Sequence, residues 1–279
     1  MQKTIAFQGI HGANSENAIF QHFGEADVTT YPCTDLEALF TIIHDKQVTA
    51  ALVPVENAFA GAVNGTYELL MDYDLRIQAE VIHHVHHALI AMNGATIDDL
   101  THVRSHPQAL AQCERFLQRH NLQPVAWYDT AGAAKDLASE PDANIGVLAS
   151  PRAAKIYGLD ILAESVEDVS FNFTRFFLLG HQDPEPAEYN KTSLVFATRH
   201  HPGALYECLG TFAERGLNLT KLESRPRRNR PWEPVFHVDF EGHWQDTIVQ
   251  SALTELLQKA SFVKMLGSYP AVKNNTVGV

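Results

Sequence analysis

The sequence predicts an α/β fold built in two parts. Short apolar runs alternate with amphipathic stretches as far as Leu179, a polar, proline-rich segment follows at 181–190, and beyond it the order becomes strand, helix, strand, strand, helix, strand. Alternation of strand and helix argues for open sheets covered by helices, whereas H-Q-D-P-E-P-A-E-Y-N holds too little apolar surface to form an element.

In chain order, strands are expected at Thr4–Phe7, Val28–Tyr31 and Ala50–Pro54, with helices at Ser15–Phe23 and Asp35–His44 between them. Thr34 with Glu37 three residues on reads as a capping box at the start of the second helix. A second α/β block follows. Leu75–Ala91 is extended; strands near His102–Ser105, Val125–Tyr128 and Ile145–Leu148 alternate with helices from Pro107 to about His120, over Ala131–Ser139 and from Pro151. Phe173–Leu179 reads as a further strand. Two such lobes leave a cleft between them, the usual seat of a small ligand. The last part, Thr192–Thr198, Ala204–Arg215, Leu219–Ser224, Val235–Phe240, Thr247–Lys259 and Phe262–Tyr269, has the βαββαβ order of a ferredoxin-like module.

Composition narrows the function. Over 279 residues, 45% hydrophobic and 19% charged residues describe a packed chain rather than a disordered one. A net charge of −12 weighs against nucleic acid as a partner, because phosphate binding needs an excess of Lys and Arg. Cys33, Cys113 and Cys208 are odd in number and far apart, so neither a disulfide framework nor a paired-cysteine metal site is drawn, and a cytoplasmic setting is expected. The opening M-Q-K-T-I-A-F-Q-G-I lacks a signal-peptide pattern, and no run nears the roughly 18 apolar residues of a membrane helix, so no membrane partner is expected.

Four segments place polar residues where strands end or helices begin. P-V-E-N-A-F-A-G-A-V, Pro54 to Val63, puts Glu56 and Asn57 at the carboxyl edge of a parallel sheet, where ligands of open sheets bind; an ordinary turn is the competing reading. S-H-P-Q-A-L-A-Q-C, Ser105 to Cys113, offers Ser105 or His106 as N-cap with Pro107 at the first helical position, and aims Ser105 at the cleft. Gln108 and Gln112 share a face of that helix. In N-F-T-R-F, strand alternation turns Asn172, Thr174 and Phe176 one way and Phe173 and Arg175 the other. Phe171, Phe173 and Phe176 would keep the cleft poor in water. The fourth segment is E-S-R-P, Glu223 to Pro226.

Taken in order, these segments resemble the prephenate dehydratase family, which carries P-x-E-N-S-x-x-G-x-V, S-H-P-Q-A-L-x-Q-C and T-R-F followed by an ACT-type module with G-A-L and E-S-R-P. The likeness runs from Gly9 to Pro270. It implies a two-lobed, periplasmic-binding-protein-like catalytic region over residues 1–180, a linker at 181–190, a ferredoxin-like ACT regulatory domain over 191–270 and a tail at 271–279. The implied activity is the decarboxylative dehydration of prephenate to phenylpyruvate in phenylalanine biosynthesis, with no cofactor and no metal. Thr174 is the implied catalytic residue; Asn57, Ser105 and Gln112 are implied to hold the substrate, with Arg175 as an anchor nearby. Gly203, Ala204 and Leu205 are implied to meet Glu223, Ser224, Arg225 and Pro226 across a subunit interface and bind phenylalanine as an allosteric inhibitor, in a homodimer or homotetramer. No mutase helices precede Met1, so a monofunctional enzyme is expected. One departure is Ala58, where the family pattern has serine.

Two alternatives stand beside this reading. One is dehydration of arogenate, whose amino group calls for an acidic partner that the motifs do not supply; the other is a non-catalytic two-lobed sensor of a small anion. The run I-H-H-V-H-H, Ile82 to His87, suggests a metal site, yet on a strand its histidines divide between two faces and at most two converge. The basic cluster Arg225 to Arg230 has no interleaved aromatics to stack bases and reads as a solvated hairpin loop.

Overall fold

A computed structural model describes residues 2–63, 65–227 and 230–272 of the chain. Arg228 and Asn229 of the basic cluster and most of the expected tail lie outside the described residues. The first stretch runs β1 (Lys3–Gln8), α1 (Asn14–Phe23), β2 (Val28–Cys33), α2 (Leu36–His44), β3 (Ala50–Asn57), β4 (Gly61–Ala62), α3 (Thr66–Asp72) and β5 (Arg76–His84). The second lobe follows as β6 (Ala88–Ala91), β7 (His102–Ser105), α4 (Pro107–Gln112), α5 (Glu114–Arg119), β8 (Gln123–Ala126), α6 (Thr130–Ser139), β9 (Ile145–Ala149), α7 (Pro151–Tyr157) and β10 (Asp160–Ala163). Then come β11 (Phe173–Gly180), β12 (Asn190–Thr198), α8 (Ala204–Ala213), β13 (Leu219–Arg227), β14 (Arg230–Glu241), α9 (Thr247–Lys259) and β15 (Ala260–Pro270).

Two open sheets make the lobes. The first has the order β2-β1-β3-β11-β5, with β4 beside β3; the second has the order β10-β6-β9-β7-β8. Strand β11 returns to the first sheet only after the second lobe is complete, which is the periplasmic-binding-protein-like arrangement. Strand β1 is parallel to both β2 and β3. Ile5, Ala6, Phe7, Leu52 and Val53 are fully buried, and burial on both faces explains why these strands read as near-continuous apolar runs.

By contacts the chain divides into residues 1–63 with 82–176, and residues 64–81 with 177–279. Helix α3 and most of β5 thus group with the C-terminal residues, a division that element order alone does not reveal. In this second unit the four strands β12 to β15 form an antiparallel sheet in the order β13-β14-β12-β15. Helices α8 and α9 cover one face through Cys208, Phe212, Val249, Ala252 and Leu256, packed on Leu194, Phe196, Val238 and Phe240. The expected ferredoxin-like order is therefore present. Lys191 and Glu80 form a buried ion pair in the same unit, Nζ donating to both carboxylate oxygens at 3.0 and 3.3 Å.

Three local readings are corrected. Asp35, not Thr34, caps α2: it stands in extended backbone directly before Leu36, and its carboxylate accepts from the Ala38 amide at 2.8 Å. The helix expected from Pro107 to His120 is two helices broken at Cys113, because the Gln112 carbonyl accepts from the Asp168 amide at 2.7 Å instead of from its own helix. Strand β3 extends past Pro54 to Asn57, since Glu56 and Asn57 pair with Ala62 and Gly61 in a small hairpin.

Candidate active site

A cavity of about 250 Å³ lies in the first unit, bordered by the start of α1 at Asn14 and Ser15, the end of β3 at Asn57, α4 at Gln108 and Gln112, the start of α6 at Asp129 and Thr130, and β11. Asn172, Thr174 and Phe176 all line it, while Phe173, Arg175 and Phe177 do not, as strand alternation requires. No lysine or arginine is among the described lining residues. Its polarity comes from amides, hydroxyls, two imidazoles and one carboxylate.

The amide network has one consistent reading, and backbone groups fix it. Asn57 Oδ1 accepts from the amides of Phe59 and Ala60 at 3.1 and 2.9 Å, so the opposite end of that side chain is the NH2 group. That group donates to Asn172 Oδ1 and to Thr174 Oγ1, each at 3.0 Å. Asn172 must then present its own NH2 to Gln112 Oε1, which it does at 3.0 Å. Gln112 Oε1 also faces His87 Nε2 at 2.9 Å, and an acceptor there requires the proton on Nε2. Burial pushes the His87 imidazole below its ordinary value, so the ring is neutral with Nδ1 bare.

One consequence bears directly on chemistry. The Thr174 oxygen is an acceptor toward Asn57, which leaves its O–H to donate into the cavity. A hydroxyl held in that sense suits hydrogen-bonding to a departing group rather than attack on a carbonyl, which needs a base beside the oxygen.

The G-I-H-G-A-N-S-E segment shapes the α1 side. Glu16 is buried; burial alone would raise its carboxyl, but the Gly12 amide at 2.7 Å, His11 and the Thr30 hydroxyl hold it below the usual range. Gly12 has φ +92°, and an added Cβ would fall 2.9 Å from the Cα of Ala153 on α7. The Ser150 hydroxyl donates to the Gly12 carbonyl at 2.6 Å. Ala13 caps α1 without a side-chain hydrogen bond, so the first amides of this ten-residue helix are open to an acceptor beside the cavity.

Of the residues expected here, Asn57, Gln112 and Thr174 are brought together. Ser105 is not: its fully buried hydroxyl donates to the Leu148 carbonyl at 2.6 Å, and His106 takes the N-cap position by accepting from the Gln108 amide. Arg175 lies on the far side of the strand. Ala58 is exposed, with its amide donating to the Phe173 carbonyl at 2.8 Å, so a serine there would sit outside the lining. Of the three aromatics only Phe176 walls the cavity; Phe173 stacks on His84 at 4.5 Å and Phe171 is 53% exposed. The histidine run ends β5 at His84 and has separate duties: His83 bonds Gln21, His86 bonds Glu167, and His87 belongs to the network. Sequence reasoning missed His87, Asn172, Asp129 and the start of α1.

In the second unit, Gly203 has φ +84° and caps α8, which begins at Ala204, while Leu205 packs on the core. Glu223 lies between Lys221 Nζ at 3.1 Å and Arg225 Nη2 at 2.7 Å. Arg225 and Pro226 line a cavity of about 250 Å³ with Tyr67, Val235, His237 and Phe262; Gly203, Ala204, Leu205, Glu223 and Ser224 do not line it.

The fold and the cavity define a two-lobed α/β protein with a polar site that has no lysine or arginine among its described residues, and a second, small antiparallel module. The family model described as prephenate dehydratase matches residues 5–184. A protein of Arabidopsis thaliana named arogenate dehydratase/prephenate dehydratase 2 is 40% identical over 277 residues, 95% of this chain and 72% of that protein. The crystal structure of prephenate dehydratase from Arthrobacter aurescens in complex with L-Phe is 33% identical, with a TM-score of 0.88 over 95% of this chain and 89% of that one. A structure described as GqqA, a novel type of quorum quenching acylase, is 34% identical with a TM-score of 0.91, covering 98% and 100%. The chain belongs to the prephenate dehydratase family and is a carbon–oxygen lyase.

Among the described residues no helix is long and apolar enough to cross a membrane.

Proposed function

We propose that Thr174 donates its hydroxyl proton as a hydrogen bond to the ring hydroxyl of prephenate, and that the start of α1 receives a substrate carboxylate. In the reaction the ring C–O bond breaks and its hydroxyl leaves as water, consuming one proton. The bond to the ring carboxylate breaks to release carbon dioxide, and its electron pair closes the aromatic ring of phenylpyruvate. Aromatisation supplies most of the driving force, so orientation and a well-placed donor suffice. The observation that carries this reading is the Asn57 amide seated on Thr174 Oγ1, which commits the hydroxyl proton to the cavity. Replacing Thr174 by Val should lower kcat on prephenate by roughly 10² or more, read as phenylpyruvate absorbance, with Ser retaining most of it. A Val variant with near-normal kcat would remove Thr174 from the chemistry.

The same orientation of Thr174 favours dehydration over acyl transfer. Its oxygen meets an amide donor where a nucleophile would need a base.

Within the second unit, residues 191–270 are proposed to be an ACT domain that binds phenylalanine through Gly203–Leu205 and Glu223–Pro226. A ligand at such a site inhibits by favouring one state of the catalytic lobes, in the measure of its differential affinity. The complex of the Arthrobacter enzyme with L-Phe supports this reading. The proposal includes a cytoplasmic homodimer or homotetramer acting in phenylalanine biosynthesis.

A further inference from the structure

We infer that Asp129 is a specificity-determining residue of the dehydratase cavity, recognising the ammonium group of arogenate, the amino acid that carries –NH3+ where prephenate has a ketone. This rests on the dehydratase reading of the cavity. Asp129 is the one carboxylate among the described lining residues, and none of them is a lysine or arginine that would neutralise it.

Its geometry is fixed from one side only. As N-cap of α6, Asp129 accepts from the Gly132 amide through Oδ1 at 2.7 Å, which sets the rotamer. Oδ2 then projects over Gly9, 3.9 Å from where a Cβ would stand, and has no protein donor among the described residues. Asp129 and Thr130 border the catalytic cavity together with Asn14 and Ser15, and the same four residues border an adjoining cavity of about 670 Å³ that continues past Gly9. Open helix amides and a free carboxylate oxygen therefore stand side by side. That pair matches –CH(NH3+)–COO−, in which both charges hang from one carbon: the carboxylate takes the amides at the start of α1, and the ammonium takes Oδ2. A ketone in the same place offers Oδ2 only a lone pair, and the two oxygens repel.

The test is the ratio of kcat/KM for arogenate to that for prephenate, in the wild type and in D129N. Asparagine caps a helix as well as aspartate does, so the variant keeps α6 while losing the charge. The ratio should fall at least tenfold, the scale of one hydrogen bond to a charged group, with most of the change in the arogenate KM. An unchanged ratio overturns the inference. Should D129N fold poorly, Asp129→Ser keeps a capping oxygen and carries the same expectation. A wild type that converts neither acid overturns the dehydratase reading, and the inference with it.

Discussion

The catalytic cavity of the first unit and the cavity beside Arg225 in the second are built from opposite materials. In the first unit the hydrogen-bond network around Thr174 is made of the Asn57, Asn172 and Gln112 amides and the His87 imidazole, aligned by backbone N–H groups at Phe59 and Ala60. In the second, Arg225, Arg227, Glu68 and Asp72 share the walls with Tyr67, Phe262 and a buried imidazole, His237. Neutral donors hold direction without titrating, so the catalytic network keeps its geometry wherever His87 stays uncharged. Charged groups near a buried histidine respond instead to protons and to each other.

The largest effect that would sharpen this contrast is on stability. Burial pushes the His237 imidazole down to about 4, its ring packed on Tyr67 at 4.6 Å. The unfolded chain, with an ordinary value of 6.5, binds the proton first, so stability is complete above about pH 6.5 and is lost as the pH falls toward 4. The loss from this one group is of order 3 kcal/mol. Thermal unfolding of wild type and H237F between pH 7 and 4.5 should show a visibly flatter dependence in the variant; parallel curves would mean that His237 titrates normally.

A smaller effect concerns regulation. Glu223 holds Arg225 at 2.7 Å beside the second cavity, so E223A removes that ion pair without touching the amide network. The phenylalanine concentration for half-inhibition should rise about tenfold or more, the loss of one charge-assisted contact, with uninhibited kcat nearly unchanged. A variant inhibited like the wild type would take the regulatory role away from this segment.

How much of this could be read in the residues differs between the two levels. The alternation in N-F-T-R-F and the spacing of four between Gln108 and Gln112 place side chains reliably, because each is a property of one element. Ser105 was misplaced because its direction depends on the Leu148 carbonyl of a neighbouring strand, which no local pattern reports. His87 was hidden in a run of histidines, and its burial and its contact with Gln112, 25 residues on, distinguish it from them. Asp129 looks like an ordinary helix cap and is one; its second oxygen gains meaning only once α1 stands beside it. The grouping of α3 with the C-terminal strands was equally invisible, since element order carries no record of long-range packing.

The central claim is that Asn57 acts through Thr174. A double-mutant cycle on kcat tests it most directly: N57A should cost about tenfold or more in the wild-type background and almost nothing once Thr174 is already Val, because the oriented proton is gone. Equal losses in both backgrounds would mean that Asn57 and Thr174 work independently, and the proposed orientation of the hydroxyl would be wrong.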